Sequence, residues 1–141
     1  MRTIKFRGKR IINDDWIYGD LFREIALTPT GRKRKSEYNG FWAIQAETSD
    51  GIKSYSVDTK TIGQFTSLFD INGKEIYEGD ILALAGVETE RLEVRFVRGV
   101  FAFLWNGNLE EECPLDAPTH CCVEVIGNIH DNPKLLEGGT Q

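Results

Sequence analysis

Long hydrophobic runs, cysteine and histidine are scarce in this sequence. No apolar run approaches the roughly 20 residues of a membrane-spanning helix, and the N-terminal MRTIKFRGKR has no apolar block behind its basic residues to act as a signal peptide. The cysteines are Cys113 and the vicinal pair Cys121 and Cys122, an odd number poorly arranged for disulfides. We therefore expect a cytoplasmic bacterial protein with free thiols and no membrane contact.

The chain has only two histidines, His120 and His130, that could act as a catalytic base near neutral pH. His120 precedes Cys121, but adjacent residues of a strand point to opposite faces; only Cys122 shares the face of His120. The final third also lacks the C-x-x-C and H-x-x-x-H spacings that wrap a zinc ion. The sequence therefore predicts no catalytic residues, no metal site and no cofactor.

Charge is divided unevenly along the chain. Residues 1–69 carry 12 Lys/Arg and 8 Asp/Glu, whereas residues 70–141 carry 5 and 14. The net charges of the two parts are therefore +4 and −9. This asymmetry favours either a front half that contacts an anionic partner or a head-to-tail contact between copies.

The abundant pattern is period-two alternation of apolar and aromatic residues in short runs broken by Gly, Asn and Asp, which predicts a mainly β protein with little helix. The expected strands are TIKFRG, WIYGDLF, FWAIQAE, IKSYSV, IGQFTSL, DILALA, LEVRFV, VFAFLW and CCVEVIGNI. Helix is expected only in short pieces, within NLEEECP and DNPKLLEG.

The strands group into two parts. We expect an N-terminal β subdomain at 1–65 with a basic loop at 28–40, packed with a C-terminal subdomain at 66–137 that precedes a tail at 138–141. The last four apolar strands have short connections, which predicts a small SH3-like β-barrel in the C-terminal half.

The segment DINGKEIYEGDIL contains two predicted turns. Asn72 and Gly73 tolerate the positive φ that tight hairpin turns demand. Gly79 can adopt a conformation closed to other residues, and Asp80 can accept hydrogen bonds from turn amides before the next strand begins. These four residues are therefore predicted to have a structural role.

Two more specific functions for this acidic segment, a calcium-binding loop and a pair of catalytic carboxylates, have less support from the sequence. A calcium loop requires glycine at its sixth position and flanking helices, but Gly73 is fourth from Asp70 and strands surround it. Glu78 and Asp80 could in principle be paired carboxylates for glycoside hydrolysis, although neighbouring acids in a surface turn are commonplace.

Several segments together resemble the YopX family, small proteins of phages, prophages and other mobile elements. They are IKFRGKRI, WIYGDLF, VDTKTIGQFTSLFDINGKEIYEGDIL and EVIGNIHDNPKLL, in this order over nearly the whole chain. The resemblance implies an all-β, barrel-containing protein that can form homo-oligomers, without an established activity. It implies no catalytic residues.

The strongest local anomaly is GRKRK at residues 31–35. Arg32, Lys33, Arg34 and Lys35 follow Pro29 in a predicted loop, where they could contact phosphates while a nearby aromatic ring stacks on a base. The alternative is a solvated loop with no ligand.

These observations favour a non-enzymatic accessory protein of a phage or mobile element, acting as a binding and self-assembly module. A nucleic-acid-binding accessory protein that uses residues 31–35 is the alternative. The expected partners are other copies of the chain, and either nucleic acid or a host or phage protein.

Overall fold

The computed structural model describes residues 2–24, 41–84, 87–106, 112–114 and 123–137. Its strands are β1 (Phe6–Lys9), β2 (Trp16–Glu24), β3 (Phe41–Thr48), β4 (Gly51–Ser56), β5 (Gly63–Phe69), β6 (Glu75–Tyr77), β7 (Asp80–Leu84), β8 (Val87–Val97), β9 (Val100–Trp105), β10 (Glu112–Pro114) and β11 (Val123–Asn128). A 3-10 turn spans Thr59–Thr61 and helix α1 spans Lys134–Glu137. The expectation of a mainly β protein with little helix is confirmed.

The strands form two antiparallel sheets, ordered β4-β3-β2-β1-β5-β6 and β10-β9-β8-β7-β11. The chain divides into an N-terminal unit, Ile4–Gln64, and a C-terminal unit, Phe65–Gln141 with Met1–Thr3. Among the described residues, no helix is long and apolar enough to cross a membrane.

The N-terminal unit is a meander whose two ends meet. Strands β1 to β4 pair consecutively, and an isolated antiparallel bridge then joins Arg10, just after β1, to Val57, just after β4. Two backbone hydrogen bonds flank the bridge, Ile11 N to Ser56 O at 3.2 Å and Asp58 N to Lys9 O at 2.8 Å. The first and fourth strands can touch only if the sheet between them curls strongly.

The C-terminal unit contains the main apolar core. Its fully buried members come from β6 to β9 and β11: Ile76, Leu82, Leu92, Val94, Phe103 and Val123. The direct pairing of Val94 with Phe103 places both on one face of the sheet, as the alternation in VFAFLW predicts. The opposite face of this sheet is buried too, at Ile81, Glu93 and Leu104. Alternation alone would predict that one of the two faces is exposed.

The SH3-like barrel predicted for the C-terminal half is not confirmed. Within the described ranges the five-stranded sheet is open, because β10 pairs only with β9 and β11 only with β7. Helix is wrong for the end of NLEEECP, where Glu112–Pro114 pair with β9 instead. Pairing with a neighbouring strand here outweighs local helix propensity.

Phe103 supplies a test of this core. Phe103→Ala should lower the free energy of unfolding by about 3–5 kcal/mol, because the ring is 1% exposed and its removal leaves a cavity. Phe96, on the same sheet face but 51% exposed, is the matched control, and Phe96→Ala should cost only about 1 kcal/mol through loss of its edge contact with Phe101. Urea denaturation followed by circular dichroism measures both, and equal losses would contradict this core.

Candidate functional site

The predicted turn at Asn72 and Gly73 is organised by a neighbouring carboxylate. Asp70 accepts hydrogen bonds from the backbone N–H of Asn72 at 2.9 Å and of Lys74 at 2.8 Å. Gly73 has φ of 81°, in the region that favours glycine, whereas Asn72 does not have a positive φ. The connection from β5 to β6 is therefore a five-residue loop wound around Asp70, rather than a two-residue hairpin turn.

The same carboxylate reaches a distant strand. The second oxygen of Asp70, Oδ2, accepts the backbone N–H of Val125 in β11 at 2.9 Å. Burial raises the pKa of Asp70, whereas the N–H groups of Val125, Lys74 and Asn72 and the Lys74 cation lower it, and the balance lies below the ordinary value of 3.8. Asp70 therefore remains ionised at neutral pH.

Gly79 and Asp80 form the second corner. Gly79 has φ of 94°, donates its N–H to Val94 O at 2.7 Å and accepts the N–H of Ile129 at 2.9 Å. Asp80 is 1% exposed, and its carboxylate accepts the N–H of Tyr77 at 2.7 Å. Both residues thus hold backbone in place where β7 begins.

These contacts join the two most specific segments of the resemblance, DINGKEIYEGDI and EVIGNIHDNP. Ile71 N donates to Val123 O at 2.9 Å, adding to the bonds made by Asp70 and Gly79. A Cβ at Gly127 would lie 2.6 Å from Asn132 Oδ1, so a larger residue there would displace the Asn132 side chain. The segments therefore build one backbone junction, to which Asp70 contributes its carboxylate and Gly79 its carbonyl oxygen.

The other candidate residues are placed as follows. His130 is described: its N–H donates to Asn128 Oδ1 at 3.0 Å in the turn before α1. His120 and the basic loop, with Arg32, Lys33, Arg34 and Lys35, lie outside the described residues. No group of three His, Cys, Asp or Glu side chains that could hold a metal ion lies within the described part of the chain.

The N-terminal unit contains a surface that the sequence interpretation missed. Three cations lie over two aromatic rings: Arg7 and Lys9 over Trp16, at 4.6 and 5.6 Å from the ring centroid, and Arg10 over Tyr55 at 4.7 Å. We call these five residues the cation–aromatic cluster. Arg7 is buried, with 5% of it exposed, whereas the other four members are partly exposed: Lys9, Arg10, Trp16 and Tyr55. About one significant contact of this kind per 70–80 residues is usual, so three within one small unit are a local concentration.

Strand register explains the cluster. Arg7 and Lys9 share a face of β1, and Lys9 is directly opposite Trp16 on β2. Arg10 reaches Tyr55 because the Arg10–Val57 bridge brings the ends of β1 and β4 together. The alternation in KFRGKR, followed by Trp16 after a turn, could have indicated the first contact; the second depends on curling of the sheet.

The cluster can contact an anion and a planar group together. A guanidinium over a ring keeps N–H groups directed outward in its own plane, and at the partly exposed Arg10 phosphate oxygens can accept them. Tyr18, opposite Arg7 and 44% exposed, adds an aromatic side chain beside the cluster. Asp14 and Asp15 in the β1–β2 turn and Asp58 after β4 are exposed acids close by in the fold, and they disfavour a long, uniformly anionic ligand.

Comparison with known proteins settles the family. A family model described as YopX protein matches residues 5–137. The chain belongs to the YopX family. Among curated proteins, none matches it.

Two solved structures share the YopX fold over nearly the full length. Protein EF1440 from Enterococcus faecalis is 22% identical, with a TM-score of 0.55 over 96% of this chain and 99% of that one. Protein yopX from Bacillus subtilis is 20% identical, with a TM-score of 0.53 over 98% of each chain. At these identities the similarity shows the fold alone.

The junction at Asp70 can be tested by mutation. Asp70→Ala should lower the free energy of unfolding by about 2–4 kcal/mol, because three backbone N–H groups lose a charged acceptor at a largely buried position. Asp50→Ala, which removes an exposed carboxylate, should change it by less than about 1 kcal/mol. A loss at Asp70 no larger than that at Asp50 would show that the junction contributes little.

The pH dependence of stability follows from the same carboxylate. Because the pKa of Asp70 is lower when folded than its ordinary value of 3.8, its contribution is present above pH 3.8 and is lost as the pH falls through the folded pKa. The stability difference between wild type and Asp70→Asn should therefore be largest near neutral pH and shrink below about pH 4. Denaturant midpoints measured across this range test it, and a difference independent of pH would contradict it.

Proposed function

We propose that this YopX-family protein is a non-enzymatic binding and self-assembly module that serves a phage or other mobile element in the bacterial cytoplasm. The burial of Asp70 and Asp80 against backbone N–H groups supports a structural role for these acids. Glu93 is likewise buried, and its carboxylate pairs with Arg95 at 2.7 Å. Binding would then depend on surface residues, with no cofactor.

The observation that carries the proposal is the cation–aromatic cluster, and the ligand class that fits it is single-stranded nucleic acid. Such ligands bind where cations follow the phosphates and aromatic side chains stack on bases. The basic residues 32–35 follow β2 and precede β3 in the sequence and are tested separately, because they lie outside the described residues. The acids beside the cluster favour a short flexible strand over a duplex.

Self-assembly is a separate part of the proposal. The net charges of +4 for residues 1–69 and −9 for residues 70–141 give two copies parts of opposite charge, and attraction between such parts speeds encounter and sets orientation more than it adds affinity. An SH3-like barrel in the C-terminal half also stays a prediction, since its closure would need strand pairings beyond those described.

Nucleic-acid binding can be tested with a fluorescent oligothymidine and anisotropy at low salt. The double variant Lys9→Ser, Arg10→Ser should weaken binding and reduce the magnitude of the log–log salt slope by about 1.4, following roughly 0.7 per phosphate contact on a single strand. The fourfold change of Arg32, Lys33, Arg34 and Lys35 to Ser tests the loop in the same assay.

The matched control is Lys53→Ser, Lys134→Ser, which removes the same charge at two positions outside the cluster and should leave the slope nearly unchanged. Binding lost only in the loop variant would place the site at residues 32–35. No binding by the wild type at low salt would exclude nucleic acid as the partner.

A further inference from the structure

Strand β4 has one edge whose hydrogen bonds can be assigned residue by residue. It lies at the end of the six-stranded sheet, with β3 on one side. Val57 donates its N–H to Trp42 O at 3.0 Å, toward β3. Because the direction alternates along an antiparallel strand, the odd-numbered residues of β4 bond β3 and the even-numbered ones face outward.

The contacts of Ser56 agree with this assignment and show where the edge is open. Ser56 O faces outward and accepts Ile11 N at 3.2 Å, so the end of the edge is already covered. Ile52 and Ser54 face outward too, and the described residues offer them no strand partner. The open part of the edge is therefore the N–H and C=O groups of these two residues.

This open edge has weak protection against pairing. Strand edges are commonly blocked by proline, bulges or charged side chains. The segment Gly51–Ser56 contains no proline, and its single charged residue, Lys53, is paired with Asp50 at 3.7 Å. Ile52, one of the two residues of the open part, is 67% exposed, so an apolar side chain stands where an incoming strand would pack.

We propose that this edge pairs antiparallel with the same edge of a second copy of the chain, with Ile52 opposite Ile52. The inference rests on the self-assembly part of the proposed function, but it takes the contact from the strand edge and not from the charge difference between residues 1–69 and 70–141. A two-fold contact of this kind is self-complementary, since each copy supplies the outward groups that the other needs.

Two features select this register: the charge of Lys53, and the hydrogen bond by which Ile11 already uses Ser56. Pairing Ile52 with Ser54 of the other copy would place Lys53 directly opposite Lys53, and like charges there are destabilising. Pairing Ser54 with Ser54 would require the edge of Ser56, which Ile11 already occupies. With Ile52 opposite Ile52, Lys53 meets Gly51, so two apolar side chains pack together and no like charges lie opposite each other.

The first test is the variant Ser54→Pro. Proline removes an N–H that β3 does not use, so the fold should be retained, but the edge can no longer pair. Light scattering should give the wild type a mass of twice the 16.0 kDa chain, or a multiple of it, and Ser54→Pro half that mass at an unchanged melting temperature. Ser54→Ala keeps the N–H and should assemble as the wild type does.

Two outcomes would overturn the inference in distinguishable ways. A monomeric wild type at every concentration would refute self-assembly itself. A wild-type oligomer that persists in Ser54→Pro would retain self-assembly and place the contact elsewhere.

The register has its own test, which does not depend on the proline variant. Directly opposite hydrogen-bonded residues have Cα atoms about 5.5 Å apart, within disulfide reach. With Cys113, Cys121 and Cys122 replaced by Ala, Ile52→Cys should form a disulfide-linked dimer under mild oxidation, whereas Lys53→Cys should not. Equal linking of both variants, or none at Ile52, would refute this register.

Discussion

The Asp70 carboxylate is the constraint on which the C-terminal unit depends. It accepts N–H groups from its own loop and from Val125, 55 residues later in the chain. A buried N–H without an acceptor costs about 1–3 kcal/mol. Asp70 avoids this cost for N–H groups of the loop and of the outer edge of β11 at the same time. Asp70 also occupies a hydrogen-bonding position on β11 that another strand could otherwise use, and it thereby protects that edge.

The N-terminal unit is stabilised differently, because few of its described apolar residues are buried. Ala43, Ile44 and Val57 are buried, while four isoleucines are exposed: Ile4, Ile11, Ile12 and Ile52. Cations over the Trp16 and Tyr55 rings add contacts to this small core. The Arg10–Val57 bridge aligns these contacts, and since it covers only the end of β4 it also leaves the edge at Ile52 and Ser54 open.

The two most specific segments of the family resemblance and the candidate binding surfaces lie in different parts of the chain. The segments that carry the YopX resemblance meet at the junction of Asp70, Gly79 and β11, where their polar groups bind backbone. The part of the pattern that meets there specifies the fold, because the Asp70 and Asp80 carboxylates bind backbone N–H groups. The function of the individual protein must therefore be sought on surfaces outside the junction, and the cation–aromatic cluster and the edge of β4 are two such surfaces in the N-terminal unit.

The sequence by itself determined the β class and the approximate strands, because period-two alternation is a local property that each strand carries in its own residues. It also located the turn residues Gly73 and Gly79, since backbone freedom is intrinsic to glycine. Only the tertiary structure decided that Asp70 bonds Val125, that Glu93 is buried although it alternates with apolar residues, and that Arg10 lies over Tyr55. Each of these depends on contacts between residues distant in the chain, which sheet curvature and register determine and local pattern does not encode.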